Sequence, residues 1–127
     1  MIKLIAIGKN KDKALQSLEK EYMKRLSAFC KFSEIEVKDE ANEHVVIAGS
    51  MIDSEAFAKN LDMWQMKYSN IVFVIAGSLG PSEKLVSRAN YRWKLSDLTF
   101  THLMTRVLML EQIYRGFMIN NGRNYHK

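Results

Sequence analysis

The stretch LSDLTFTHLMTRVLMLEQIYRGFMINNGRNYHK, residues 95–127, is the most informative part of this sequence. It begins with a short apolar run that carries hydroxyl residues, continues as a strongly apolar helix predicted over 103–119, and ends in a turn and a polar tail. Chain termini usually fray and carry bland residues. This tail instead closes on Tyr125, His126 and Lys127, whose side chains can bind ligands or move protons. The C-terminal end is therefore the first place where we expect a functional site.

The predicted C-terminal helix is apolar on more than one side. Residues spaced by three and four form one apolar stripe, namely Leu103, Val107, Leu110, Tyr114 and Phe117. Further apolar side chains lie off that stripe, namely Met104, Leu108 and Met118. A helix on the outside of a monomer needs only one apolar face. Two interpretations stay open: the second face packs on a second copy of the chain, or the helix is fully buried within a monomer.

Upstream of this stretch, short apolar runs alternate with amphipathic segments. The short runs predict strands at 2–7, 33–37, 45–49, 71–75 and 93–100. The longer periodic segments predict helices over 14–29, from a Ser54 cap to about residue 68, and from Pro81 to about residue 91. This alternation predicts one α/β domain over residues 1–127, with a mostly parallel sheet covered by helices on both faces. The run 33–37 alternates between apolar and acidic residues, so we expect an exposed or edge strand there.

Composition narrows the class of protein. The hydrophobic fraction of 47% argues against disorder. No apolar run is long enough to span a membrane, and the start of the chain lacks the pattern of a secretory signal peptide. The single cysteine, Cys30, excludes an internal disulfide framework and favours a reducing, cytoplasmic environment. Because Cys30 lies near a predicted helix end, we interpret it as a small core residue.

The charge is unevenly distributed. The chain carries a formal net charge of +5, and residues 101–127 contain four basic residues against Glu111 alone. A basic excess of this size is compatible with a polyanionic partner. Glu111 and Arg115 are four residues apart on the predicted helix, so they form either a surface ion pair or part of a functional site that uses the arginine.

Common catalytic motifs are missing. The loop 76–80 follows a predicted buried strand, and Gly77 and Gly80 permit close backbone approach to a ligand. It matches neither a dinucleotide fingerprint nor a Walker loop, so the sequence alone also allows a plain turn. The three histidines have no metal-ligand spacing, and we predict no metal site. No Gly-x-Ser-x-Gly motif indicates a hydrolase.

The C-terminal residues nevertheless form a specific pattern. It reads His102-x-x-x-Arg106, then Glu111-Gln112-x-Tyr114-Arg115-Gly116, then Gly122-x-x-Tyr125-His126-Lys127. Two shorter marks accompany it, Ala6-Ile7-Gly8-Lys9 and the loop Ile75-Ala76-Gly77-Ser78-Leu79-Gly80. Together they resemble the 23S rRNA pseudouridine N3-methyltransferase family, of which this chain looks like a shortened member.

The resemblance implies a fold, a reaction and partners. The fold would be of the SPOUT type, a parallel sheet between helices with a C-terminal trefoil knot, which is a rare exception to ordinary chain topology. The protein would be a homodimer that binds S-adenosylmethionine in the knot. It would methylate N3 of a pseudouridine in helix 69 of 23S rRNA, preferably in assembled ribosomes.

The resemblance also assigns residues to the two halves of a site. The cofactor pocket would be formed by Val45, Ala76, Gly77, Leu95, Ser96, Asp97, Leu98, Thr99 and Phe100. Backbone groups there would hold the adenine. The residues on the substrate side would be His102, Arg115, Tyr125, His126 and Lys127. We hypothesise that His126 or His102 takes the N3 proton and that Arg115 binds a phosphate or a base carbonyl. Tyr125 either stacks on a base or anchors the tail to the core.

The sequence departs from the family pattern at three places. Ala76 replaces a glycine, so its Cβ would approach the cofactor. Thr101 replaces a proline before the histidine, which would loosen the knot loop. A helix of the family is missing, so that only residues 38–44 connect strand 33–37 to the next one. Because neighbouring parallel strands need a long crossover, we predict that 33–37 is displaced, antiparallel or partly a connector.

Two other functions remain open at this point. The chain could be a methyltransferase that acts on another RNA position. It could also be a non-catalytic dimer that binds RNA or assists ribosome assembly, since the missing stretch would remove ribosome contacts and the Cβ of Ala76 would crowd the cofactor.

Overall fold

A computed structural model describes residues 1–37, 51–75, 83–96 and 98–125. The strands are β1 (Ile2–Ile7), β2 (Phe32–Val37) and β3 (Ile71–Ile75). The helices are α1 (Lys13–Leu26), α2 (Ser54–Lys67), α3 (Glu83–Arg88) and α4 (His102–Asn120). Strands and helices alternate, so the predicted α/β class is confirmed. The predicted strand 45–49 and Pro81 lie outside the described residues.

The three strands form one parallel sheet in the order β2-β1-β3. In the register, Ile2 of β1 pairs with Phe32 of β2 and Ile71 of β3. The ladder continues past β1, because the amide of Gly8 donates a 2.8 Å hydrogen bond to the carbonyl of Val37. Since all three strands run the same way, their carboxyl ends share one edge of the sheet, which is where open α/β sheets bind ligands.

One hydrophobic core joins a face of the sheet to α1, α2 and α4. Helix α4 packs against both α1 and α2. The close approach of α2 and α4 depends on Gly116, where a Cβ would lie 3.0 Å from Cδ2 of the buried Leu61. The opposite face of the strands leaves Ile35, Val72 and Val74 exposed.

The prediction that strand 33–37 would be displaced, antiparallel or a connector is wrong. Strand β2 is parallel and pairs with β1 over its whole length. The neighbour of β2 in the sheet is β1, and the connection between these two strands contains α1 and is long enough for a parallel crossover. The short bridge 38–44 is therefore not needed to build this pairing. Within the described sheet β2 is an edge strand, as its alternating pattern predicted.

The predicted strand at 93–100 is also wrong. Trp93 alone forms an isolated bridge, and the described residues from Lys94 to Phe100 have no regular structure. Trp93 instead stacks on Phe57 of α2 at 4.3 Å between ring centroids, and Leu95 also packs against the core. None of the helices in the described part of the chain is long and apolar enough to cross a membrane.

The helix boundaries differ from the predictions at their caps. Helix α2 is capped by Asp53, whose carboxylate accepts a 2.7 Å hydrogen bond from the amide of Ala56, and not by Ser54. The Ser54 hydroxyl instead donates a 2.6 Å hydrogen bond to Oε1 of Gln112 on α4. Helix α3 ends at Arg88, before the predicted residue 91, and α1 ends at Leu26 rather than at residue 29.

Candidate functional site

The C-terminal edge of the sheet brings the end of β1 to the start of α4. Gly8 follows β1 with a φ of +96°, and a Cβ at this position would lie 3.9 Å from Nε2 of His102. A positive φ favours glycine, so the tight exit from β1 accounts for this residue type. Thr101 caps α4, because its Oγ1 accepts a 3.3 Å hydrogen bond from the amide of Met104. The threonine that replaces the proline of the family pattern thus stabilises the helix start.

Arg106 lies one helical turn beyond His102 and is only 1% exposed. Its Nη2 donates a 2.7 Å hydrogen bond to Glu34 and its Nη1 a 2.8 Å hydrogen bond to Glu36. Its Nε also forms a 2.8 Å ion pair with Glu19 of α1. Arg106 therefore binds three carboxylates inside the fold. Arg106 was counted in the basic excess of residues 101–127, but its buried charge is not available to a polyanion.

The carboxylates around Arg106 differ in their acidity. Burial raises the pKa of Glu34, and the hydrogen bond from Arg106 offsets this only in part. Its Oε2 is buried without a hydrogen-bond partner in the part of the chain that the structure describes. Burial also raises the pKa of Glu36, but hydrogen bonds from Arg106 and from the Asn10 amide outweigh that effect and lower it overall. Arg106 is thus the shared counter-ion of three carboxylates, and Glu34 is the one whose burial is offset least.

Asn10 connects this cluster to the loop between β1 and α1. It is 5% exposed, and its Nδ2 donates a 2.9 Å hydrogen bond to Glu19. Its backbone amide donates a 2.6 Å hydrogen bond to Glu36, and its Oδ1 accepts one of 3.0 Å from the amide of Asp12. The loop beside His102 is therefore held by side chains of α1 and β2.

The C-terminal tail folds back onto α4 through Tyr125. Oε1 of Glu111 accepts hydrogen bonds from Nη2 of Arg115 at 2.6 Å and from the Tyr125 hydroxyl at 3.2 Å. The guanidinium of Arg115 lies 5.0 Å from the centroid of the Tyr125 ring, and Tyr114 meets this ring edge-on at 4.9 Å. Burial raises the pKa of the Tyr125 hydroxyl further above its ordinary value of 10.0. Of the two interpretations of Tyr125, the contacts of this chain favour the anchored tail.

The segment before α4 exposes apolar side chains without regular structure. Leu95 and Ser96 are half-buried, and Thr99 is exposed. The Ser96 hydroxyl accepts a 3.0 Å hydrogen bond from the amide of Leu98, which is 73% exposed, and Phe100 is also exposed. The remaining candidate residues lie outside the described residues, namely Val45, Ala76, Gly77, Asp97, His126 and Lys127.

The candidate residues on α4 do not meet in one chain. His102 and Arg115 are the first and fourteenth residues of the helix. At 1.5 Å of rise per residue they are separated by about 20 Å along its axis. The structure therefore brings Arg115 and Tyr125 together and leaves His102 beside Gly8, at the other end of α4.

Sequence reasoning missed the role of the acidic residues. The alternation in 33–37 predicted only an exposed or edge strand and gave Glu34 and Glu36 no partner, whereas both bind Arg106. Two acidic residues alternating within a strand, with Arg106 next to the apolar stripe of the C-terminal helix, are a pattern that could have predicted this pairing. Glu111 was recognised as the neighbour of Arg115, but its hydrogen bond to Tyr125 depends on the path of the tail.

Comparison with known proteins places this geometry in context. The chain matches the family described as "Predicted SPOUT methyltransferase" over residues 1–126. It is 39% identical to a protein of Clostridium kluyveri, 40% identical to one of Latilactobacillus sakei and 38% identical to one of Streptococcus thermophilus. Each of these is named "Ribosomal RNA large subunit methyltransferase H", and each alignment covers 99% of both chains. The alignments span 157 positions against a chain of 127 residues, so the relatives carry residues that this chain lacks.

Proposed function

Since the chain belongs to the SPOUT methyltransferase family, we propose that it methylates N3 of a pseudouridine in helix 69 of 23S rRNA, with S-adenosylmethionine as the donor. The observation that carries this proposal is the match over 99% of both chains to relatives named for methylation of large-subunit ribosomal RNA. The C-terminal motif supports the finer choice of pseudouridine N3. Its described part, from His102 to Tyr125, is built into α4 and the anchored tail.

The described part of the proposed cofactor pocket suits an adenosyl group. An adenine needs an apolar surface for its faces and polar atoms for its edges. Leu98 and Phe100 offer exposed apolar side chains in a segment whose backbone belongs to neither a helix nor a strand. Leu95, Ser96 and Thr99 complete this segment, and Val45, Ala76, Gly77 and Asp97 belong to the same proposal. When bound, the cofactor supplies an electrophilic methyl group on a sulfonium.

The protein's part in the reaction is positioning and removal of a proton. Holding the pseudouridine N3 in line with the methyl group can contribute roughly 7–11 kcal/mol to lowering the barrier. N3 forms a bond to the methyl carbon as the bond from that carbon to sulfur breaks, and N3 loses its proton. His126 or His102 would accept this proton, a role that contributes about 10²–10⁴-fold in rate.

The separation of His102 from Arg115 supports a homodimer with shared sites. Residues about 20 Å apart along one helix cannot contact a single nucleotide from the same chain. A twofold pair of α4 helices would bring His102 of one copy towards Arg115 and Tyr125 of the other. The apolar side chains of α4 that lie outside the core, including the 41% exposed Met104, provide a surface for such a pair.

Arg115 and Tyr125 would present the tail to the RNA. Glu111 binds both side chains, so a phosphate or base carbonyl would compete with Glu111 for the guanidinium. Arginine suits such an exchange because its planar fork can bind two oxygens at once. Since the Tyr125 ring already packs between Tyr114 and Arg115, its role is to position His126 and Lys127. With ribosomes as substrate, the protein acts in the cytoplasm.

Methyl incorporation into ribosomes tests this function. Purified protein and tritiated S-adenosylmethionine are incubated with ribosomes that contain the pseudouridine but not its methyl group. We expect about one methyl group per ribosome, mapped by mass spectrometry to N3 of that pseudouridine, and strongly reduced incorporation by Arg115→Ala. Incorporation at another nucleotide would show a different RNA specificity. No incorporation, together with no calorimetric binding of S-adenosylmethionine, would indicate a non-catalytic RNA-binding dimer.

A further inference from the structure

We propose that the loop between β1 and α1, together with the first residue of α1, binds RNA backbone phosphates through Lys9, Lys11 and Lys13. This inference rests on the proposed function, since it takes the substrate to be RNA. It adds a second contact surface that is separate from Arg115 and the tail.

Among residues 9–13 only Asn10 is buried, and the other four side chains are exposed. Asn10 is 5% exposed and hydrogen-bonds to Glu19 and Glu36. The Asp12 carboxylate caps α1 by accepting a 3.1 Å hydrogen bond from the amide of Leu15. The three lysines between and beside them are exposed. The polar residues thus hold the loop, and three ammonium groups face solvent side by side.

The loop is held in place before any ligand arrives. The carbonyl of Asn10 accepts a 2.5 Å hydrogen bond from Nε2 of Gln16, and its Oδ1 accepts one from the amide of Asp12. Gly8 adds the fixed exit from β1, with its positive φ and its hydrogen bond to Val37. A charged loop that is already ordered binds its partner at a lower cost in conformational entropy.

Lys9 interacts electrostatically with Glu36 and helps to lower its pKa, but the stability of α1 does not account for Lys11 and Lys13. The N-terminal end of a helix carries partial positive charge and favours acidic side chains. Helix α1 has no acidic residue in its first turn and begins with Lys13, while Lys11 lies just before its cap. The nearest acidic groups are already engaged, Asp12 with the helix and Glu36 with Arg106 and Asn10. A polyanion would neutralise a cluster that the helix itself disfavours.

The position of the loop points to the substrate of the same site. Its first residue, Gly8, lies against His102, so Lys9 follows directly after a contact with a candidate catalytic side chain. A nucleotide whose base is placed near His102 has flanking phosphates within the reach of long lysine side chains. Phosphate contacts of this kind position RNA without reading its sequence.

A pair of matched variants tests the proposal. The triple variant K9Q/K11Q/K13Q removes the loop charges, and K20Q/K24Q/K31Q removes three exposed lysines further along α1 and at the start of β2. Both variants change the net charge equally. Binding to large ribosomal subunits and to deproteinised 23S rRNA is measured by sedimentation at salt concentrations from about 50 to 200 mM. Methyl incorporation and the melting temperature are recorded on the same samples.

We expect the loop variant to lower the slope of log affinity against log salt by about 2–3, since each lost phosphate contact removes roughly 0.7–0.9. The control should change that slope by less than about 1. Equal slopes for the two variants would overturn the proposal. The proposal would also be overturned if the loop variant bound ribosomal subunits more weakly but bound deproteinised rRNA as well as the wild type does. That result would indicate that the loop contacts an acidic protein. If the wild type shows this lysine-dependent RNA binding but transfers no methyl group, the proposed function is refuted and the proposal for the loop is not.

Discussion

Arg106 on α4 and Glu34 on β2 form a 2.7 Å ion pair although they are 72 residues apart in the chain. The contact ties the helix that carries the C-terminal motif to the edge strand of the sheet. Because Arg106 also binds Glu19 and Glu36, it is shared by three carboxylates, of which Glu19 and Glu34 are largely buried and Glu36 is 38% exposed. The stability of the fold should therefore depend strongly on this side chain.

Arg106→Leu is expected to destabilise the protein by about 3–5 kcal/mol, because it leaves buried carboxylates without their counter-ion. The matched control is Arg25→Leu, which breaks the exposed pair with Glu21 and should cost about 1 kcal/mol or less. Urea unfolding followed by circular dichroism measures both values. A loss in Arg106→Leu no larger than that in the control would mean that the buried cluster contributes little.

Glu34→Gln and Glu36→Gln are expected to change the pH dependence of stability in opposite directions. The pKa of Glu34 is raised above its ordinary value of 4.5, mainly by burial, so its stabilising contribution is complete below pH 4.5 and is lost as the pH rises through the folded value. The pKa of Glu36 is lowered overall. Desolvation raises this pKa, but the hydrogen bonds from Arg106 and Asn10 lower it by more. Its contribution is present above pH 4.5 and is lost as the pH falls through the folded value.

Relative to wild type, Glu34→Gln should therefore gain stability as the pH rises from 4.5, and Glu36→Gln should gain as the pH falls below 4.5. Unfolding free energies between about pH 3 and pH 8 provide the measurement. Curves for both variants that run parallel to the wild-type curve would show that neither carboxylate titrates differently in the folded state.

The anchored tail makes a prediction about coupling between Glu111 and Tyr125. Tyr125→Phe keeps the ring against Tyr114 and removes the hydroxyl, which forms the 3.2 Å hydrogen bond to Glu111 and also interacts with Tyr22. A double-mutant cycle with Glu111→Ala should give a coupling free energy of about 1 kcal/mol. A cycle with Glu21→Ala, whose partner is Arg25, is the control and should show no coupling to Tyr125. Additive losses in the first cycle would mean that this hydrogen bond does not hold the tail.

Local pattern predicted the main elements of this fold because apolar runs and helical spacing are properties of neighbouring residues. Strands β1 and β3 and helix α4 appear within a residue or two of their predicted bounds. The cap of α2 was assigned one residue too late, since Asp53 and Ser54 are both good capping residues and only the contact with Gln112 distinguishes them. The parallel pairing of β2 with β1 was missed because the prediction relied on the short connection that follows β2. That connection does not determine whether β2 pairs with β1, which precedes it in the chain.

The candidate site was predictable only in part, for a related reason. The motif on α4 identified Arg115 and Tyr125, and the tail does bring them together. The burial of Arg106 and the fixed loop around Asn10 depend on contacts between α1, β2 and α4, which no single segment encodes. The distance between His102 and Arg115 follows from helical rise alone, so this separation could have been predicted from the sequence.

Shared sites in a homodimer predict that two inactive variants restore activity when they are mixed. His102→Ala and Arg115→Ala should each transfer little methyl, because every site loses one of the two side chains. If each site takes His102 from one subunit and Arg115 from the other, the mixed dimer keeps one intact site. After subunit exchange of equal amounts, about a quarter of the wild-type activity should return.

The matched control mixes wild type with the His102→Ala/Arg115→Ala double variant, where a mixed dimer has no intact site, so activity should fall to about a quarter rather than a half. Methyl incorporation into ribosomes measures both mixtures. No recovery in the first mixture, with half of the activity retained in the second, would place the complete site within one chain.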